Sequence, residues 1–184
     1  MLAAVMVTVG SASAQPTAKI AVEGGVSHWM DSNLDECDEC TPLLREFGGE
    51  VAFFATDSLA VLASVRLGFL GIDVTADDIR LQLDGRQLAV GTGLRYYGPP
   101  GRARFYGEVA VGVSRFSSTV SLFELRESTS SRWRHVAPRA GVDIAVNDRT
   151  AVRIAGGWDI ALTENLTLHS ARAGAGLVFN VGRQ

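Results

Sequence analysis

A chain of 184 residues, 47% hydrophobic and 20% charged, has room for one folded domain and too much apolar content to stay disordered. Its net charge of -3, with no cluster of Lys and Arg, excludes the basic footprint of a nucleic-acid binder. Twenty glycines against five prolines, without a low-complexity run, favour a β-rich fold.

Residues 1–14 read as an export signal. Leu2 to Val9 is an apolar run, and Ala12-Ser13-Ala14 suits a peptidase cut before Gln15, leaving residues 15–184 as the mature domain. No basic residue precedes the apolar run; the first is Lys19. Beyond that segment no stretch of about 18 apolar residues occurs, so no transmembrane helix is expected. Two destinations remain for the mature chain: a soluble exported protein, or a β-barrel in the outer membrane.

From residue 18 onward, alternation with period two predicts eight strands, because successive strand side chains point to opposite faces. The first two run over 18–30 and 48–56. The third, 59–71, sets Leu59, Val61, Ala63, Val65, Leu67 and Phe69 against Ser64, Arg66 and Gly68. The fourth, 86–97, carries Leu88, Val90 and Leu94 on even positions, whereas Ile79, Leu81 and Leu83 are odd, which predicts a bulge at Asp84-Gly85. The fifth, 103–117, alternates Phe105, Val109, Val111 and Val113 with Arg104, Tyr106, Glu108 and Gly112. The sixth, 133–147, opposes Val136, Ala140, Val142 and Ile144 to His135, Arg139, Gly141 and Asp143. The seventh, 150–162, opposes Val152, Ile154, Trp158 and Ile160 to Arg153, Gly157 and Asp159. The eighth, 166–181, shifts parity near His169-Ser170, between Leu166 and Leu168 and the odd-numbered Leu177, Phe179 and Val181.

Most segments are nine residues or longer, enough to cross a bilayer at a tilt. Tight links at 56–58, 98–102 and 147–149 alternate with longer ones at 31–47, 72–85 and 118–132 and a shorter one at 163–165. That is the layout of an up-and-down antiparallel barrel in the outer membrane, short turns facing the periplasm.

A lipocalin-type barrel also has eight strands but turns its apolar face inward around a ligand. Composition separates the two. The polar face carries Glu23, Glu50, Glu108, Asp143 and Asp159 with Arg66, Arg95, Arg139, Arg153 and Arg172, interleaved with glycines, and the chain holds a single Lys. Arg with carboxylates and small residues suits a narrow packed interior. These ten residues are expected inside as an ionic network, with the aliphatic face on lipid. Tyr96, Tyr97, Phe105 and Tyr106 at the short-turn end, and Trp29, Phe116 and Trp133 at the other, are expected as interfacial girdles, Tyr106 turning inward by parity.

Over essentially the whole mature chain the signal, the eight segments and the alternating links resemble the OmpA-like and OmpX-like small outer-membrane β-barrels. The last strand, Arg172 to Phe179, resembles the assembly signal of such barrels, although Asn180-Val181-Gly182-Arg183-Gln184 follows the aromatic residue. The resemblance implies an outer-membrane, porin-like envelope protein. Its partners would be outer-membrane lipid, lipopolysaccharide and the barrel-assembly machinery, it would be a monomer, and it would bind no nucleic acid.

Candidate sites are few. Cys37 and Cys40 in the first long link are expected to pair in an exported protein; a lone C-x-x-C lacks the four ligands of a structural zinc site. The acidic run of Asp31, Asp35, Glu36, Asp38, Glu39 and Glu46 against Arg45 reads first as a solvated loop and second as a cation site. His169-Ser170 resembles the His and Ser of lipid A deacylases, which are also outer-membrane barrels, but that motif spaces the pair by one residue and adds Asn. No catalytic constellation, cofactor site or metal site follows from the sequence. The expected function is non-enzymatic; the alternatives are a soluble apolar-ligand barrel and a lipid-modifying outer-membrane enzyme.

Overall fold

The structure is a computed structural model that describes residues 17–30, 43–76, 79–122, 125–162 and 167–182. The expected export signal, the Cys37–Cys40 pair and the acidic run from Asp31 to Glu39 lie outside the described residues.

Eight strands follow one another: β1 (Ala18–Met30), β2 (Leu43–Phe54), β3 (Leu59–Ala76), β4 (Ile79–Tyr97), β5 (Ala103–Leu122), β6 (Leu125–Ala145), β7 (Thr150–Leu162) and β8 (Thr167–Val181). Each pairs antiparallel with its neighbours, and β1 pairs with β8, closing an up-and-down barrel. Closure leaves no edge strand within the bilayer, the one β arrangement that satisfies every backbone group in hydrocarbon. No helix among the described residues is long and apolar enough to cross a membrane.

The short turns are built by their own side chains. Thr56 Oγ1 accepts from the amides of Ser58 and Leu59, and Asn147 Oδ1 accepts from those of Arg149 and Thr150, both at 2.9 Å in the second case. Ala18 pairs with both Phe53 and Val181, so the first and last strands meet at this short-turn end.

β1 and β7 match the expected segments 18–30 and 150–162. Others are longer: β2 begins at Leu43, β3 runs to Ala76, and β5 and β6 have 20 and 21 residues. The expected links 72–85 and 118–132 are therefore mainly strand. Hydrophobic alternation stops where lipid stops, but the backbone ladder needs only a partner strand, and the Ser- and Thr-rich stretch from Phe116 to Ser121 keeps pairing.

The bulge expected at Asp84-Gly85 is absent, since β4 pairs in unbroken register with β3 and β5. Gly85 is there for space: a Cβ on it would lie 2.8 Å from the Phe116 ring. The parity shift near His169 is absent too, because β8 runs unbroken against β1 and β7. One ladder does have a gap. Between β6 and β7, Val136↔Ile160 and Arg139↔Gly157 flank Ala137 and Pro138, which lack partners; proline has no amide hydrogen to donate.

Candidate functional site

Sidedness comes first, because it decides what the polar residues can do. Val61, Val65, Val111 and Ile144 point outward with exposures of 45%, 46%, 51% and 37%. Asp143 and Arg66 point inward, with side chains 3% and 13% exposed. The ligand-enclosing arrangement of a lipocalin is overturned by this geometry: the aliphatic side chains surround the barrel, and the charges fill it.

The interior holds two ionic clusters. Near the short-turn end, Arg153 is wholly buried and donates from Nε to Asp143 Oδ1 at 2.7 Å and from Nη2 to Asp143 Oδ2 at 3.1 Å. Its Nη1 reaches Glu50 at 2.8 Å and Glu23 at 3.0 Å. Arg95, equally buried, bridges Glu50 at 2.5 Å and Glu108. Arg139 holds Glu23 at 2.6 Å and lies 3.6 Å from Glu108, and Lys19 holds Asp143 at 2.8 Å. Four cations (Lys19, Arg95, Arg139, Arg153) face four carboxylates (Glu23, Glu50, Glu108, Asp143) in a closed circuit with no net charge. The Tyr97 hydroxyl accepts from Arg95 at 3.1 Å and from Arg153 at 3.3 Å, and the Tyr106 hydroxyl accepts from Arg139 at 3.1 Å. Arg104 closes the turn end, donating to the carbonyls of Gly98 and Asp57 above the Tyr97 ring.

Nearer the long-link end, Arg66 grips Asp159 bidentately at 2.7 and 3.2 Å, and Arg172 binds Glu46 at 2.9 Å and lies 3.6 Å from Asp159. This cluster is neutral as well: Arg66 and Arg172 face Glu46 and Asp159. Beside it the buried Ser114 Oγ and His135 Nδ1 lie 2.9 Å apart. Above it Trp133 meets Trp29 edge-on at 5.7 Å and stacks on Phe116 at 5.9 Å.

Every one of the ten charged residues singled out in the sequence takes part in one of these two clusters. Sequence reasoning missed Lys19, Glu46 and Arg104. Lys19 shares odd parity with Glu23, and Glu46 shares even parity with Gly48 and Glu50, so the signal was present once the second strand is begun early enough. Glu46 is therefore no loop acid; it is a buried β2 residue, hydrogen-bonded by Ser27 at 3.1 Å.

The girdle expectation needs correction at both ends. Tyr96 and Phe105 do face outward, at 64% and 69% exposure, and Tyr106 turns inward as its parity requires, but Tyr97 is interior as well. Trp29, Phe116 and Trp133 sit on inward positions and form an aromatic plug in the mouth, because the mouth must be filled where the charges end. His169 is exposed on the outer face while Ser170 is buried inside, as adjacent strand residues must be, so the two cannot act as a dyad. The Ser114–His135 pair borders a cavity of only about 10 Å³, room for about one water and for no substrate. Between the clusters lies a cavity of about 50 Å³, far short of a continuous passage. Among the described residues no group of His, Cys, Asp and Glu is arranged to hold a metal ion.

An aliphatic exterior, a closed eight-strand ladder and an interior packed with paired charges define a small membrane-spanning β-barrel of the outer-membrane type. Solved structures agree on the fold. Ail, the attachment invasion locus protein of Yersinia pestis, superposes with a TM-score of 0.59 at 15% identity, covering 90% of this chain and 99% of its own. Neisserial surface protein A gives 0.60 at 10% identity, covering 89% and 97%. The outer-membrane protease OmpT of Escherichia coli gives 0.50 at 8% identity, covering 92% and 98%. No protein-family model matches the chain, and no curated protein matches it in sequence.

Proposed function

We propose that the chain is a non-enzymatic integral outer-membrane protein: a sealed barrel that spans the bilayer and presents its long-link end to the exterior. The observation that carries this reading is the segregation of charge. Across the bilayer zone the outward positions are mainly aliphatic or aromatic, while the mid-barrel charges turn inward and pair. A folded soluble protein would not put Val22, Phe47, Leu94 and Val109 in water while enclosing Arg95 and Arg153.

In this reading residues 1–14 direct export, and the barrel-assembly machinery engages β8. The finished barrel stands as a monomer in contact with outer-membrane lipid and lipopolysaccharide. The paired interior contributes rigidity and impermeability rather than chemistry. The protease among the structural neighbours lends no activity at 8% identity, and the separated His169 and Ser170 leave the lipid-modifying alternative without a dyad. The test is extraction: the protein stays with the outer membrane through carbonate washing and migrates differently on gels before and after boiling. Release by carbonate into the soluble fraction overturns the reading.

A further inference from the structure

On the outer face the arginines gather at one level. Arg45 on β2, Arg86 on β4, Arg115 on β5, and Arg132 and Arg134 on β6 are all exposed, and the last three are adjacent. The register fixes their height. Arg86 lies across from Phe69, Arg115 across from Leu88, and Arg134 across from both Val113 and Leu162. They therefore crown the aliphatic belt at the long-link rim, where hydrocarbon gives way to headgroups. At the same height β7 and β8 carry no arginine on their outward positions.

Two features separate these side chains from an ordinary solvated fringe. Arg115 and Arg132 are directly opposed across the β5–β6 ladder, and like charges so placed repel each other. Inside the barrel Arg66, Arg95, Arg139, Arg153 and Arg172 each hold a carboxylate, but Arg86, Arg115, Arg132 and Arg134 form no ion pair or hydrogen bond among the described residues. The nearest acid on this face by register is Asp84, one outward position beyond Arg86. Around the pair the surface is concave: one groove combines an apolar floor of Leu88, Val90, Val113 and Leu162 with Arg115, Arg132 and Arg134. The apolar floor and the cationic head are continuous.

We infer that this groove is a binding site for a phosphorylated glycolipid of the outer leaflet, with phosphate held among Arg115, Arg132 and Arg134 and an acyl chain laid along Leu88, Val113 and Leu162. Guanidinium groups match phosphate geometrically, and an anion between Arg115 and Arg132 turns their repulsion into shared attraction. A free phosphate would satisfy the head and leave the floor bare, which is why the occupant is a lipid. The inference rests on the membrane orientation proposed above.

The test uses the refolded full chain in a non-ionic detergent, with purified diphosphoryl lipid A as probe and bound lipid counted by native mass spectrometry. Wild type holds one lipid A, and Arg115→Gln, Arg132→Gln and Arg134→Gln each weaken it about tenfold, the fold-change of a lost charge-assisted hydrogen bond. Arg102→Gln and Arg149→Gln, which remove equal charge from the opposite rim, leave the affinity unchanged. Inorganic phosphate at matched concentration does not displace the lipid. The inference is overturned if wild type holds no lipid A, or if the triple Gln variant binds as wild type does. It is equally overturned if the rim controls lose as much, or if phosphate alone competes. Unboiled gel mobility certifies the fold of each variant, and the single substitutions serve should the triple fail to fold. Carbonate extraction reports separately on the membrane reading, so failure of one is not mistaken for failure of the other.

Discussion

Arg153 is the residue whose loss the barrel should feel most. It touches three carboxylates, Asp143, Glu50 and Glu23, and is wholly buried. Arg153→Met keeps much of the volume but leaves three cations facing four carboxylates. Each acid retains one partner: Lys19 for Asp143, Arg95 for Glu50 and Arg139 for Glu23. What remains is one uncompensated negative charge in a buried core, a loss of about 3–5 kcal/mol. Adding Asp143→Asn restores three against three, and should recover roughly 2 kcal/mol although a second ionic contact has been removed. The assay is reversible urea unfolding in lipid vesicles, followed by tryptophan fluorescence and by unboiled gel mobility. If the single variant loses under about 1 kcal/mol, or if the double variant is no more stable than the single, the interior is not an electrostatically closed circuit and the reasoning fails.

Three further outcomes are expected. Gly176→Ala places a Cβ 2.2 Å from the Val22 carbonyl oxygen at the β1–β8 seam, and should cost about 1–3 kcal/mol in the same unfolding assay. Gly107→Ala, which meets nothing within 4 Å, should be tolerated and so isolates the steric cause. Val111→Arg on the bilayer-facing surface should cost about 2–4 kcal/mol, whereas Ser130→Arg beyond the apolar belt should cost about 0–1; equal effects would contradict the assigned membrane level. In planar bilayers the wild-type barrel should show no conductance steps. Replacing Arg66 and Arg172 by Ala, which leaves Glu46 and Asp159 unneutralised, should admit a small cation-selective leak, and an anion-selective one would refute the charge assignment.

How much of this was legible in the sequence depends on which force wrote the signal. Lipid imposes alternation, so β1 and β7 could be read to the residue, and the parity of Glu23, Arg66 or Asp143 gave their direction without coordinates. Where lipid ends, the alternation loses its cause. β3 to β6 continue on backbone pairing alone, which hydroxyl-rich sequence permits but does not announce. The same blindness turned the parity change between Leu83 and Leu88 into an expected bulge, because an apolar side chain on the inward face beyond the belt looks identical to one shifted by an extra residue. Aromatics misled for a different reason. Trp29, Phe116 and Trp133 stand at the height where an interfacial belt is expected, and only the facing side chains show that they close the mouth instead. The outer arginines were not singled out, since lone charges at the ends of expected strands (Arg86, Arg115, Arg134) or in an expected link (Arg132) are unrelated until the register brings β5 and β6 together.

Pro138 has a consequence for how this wall opens. In a soluble sheet a proline can be put at the margin, where water takes over the missing bond, but a cylinder has no margin. The interruption at Ala137 and Pro138 sits opposite the β7 stretch between Gly157 and Ile160, at a depth where no solvent can substitute. Strand separation within the bilayer should start at this point, so amide protons flanking it on β6 and β7 should exchange before those of the fully laddered β3–β4 and β4–β5 pairs.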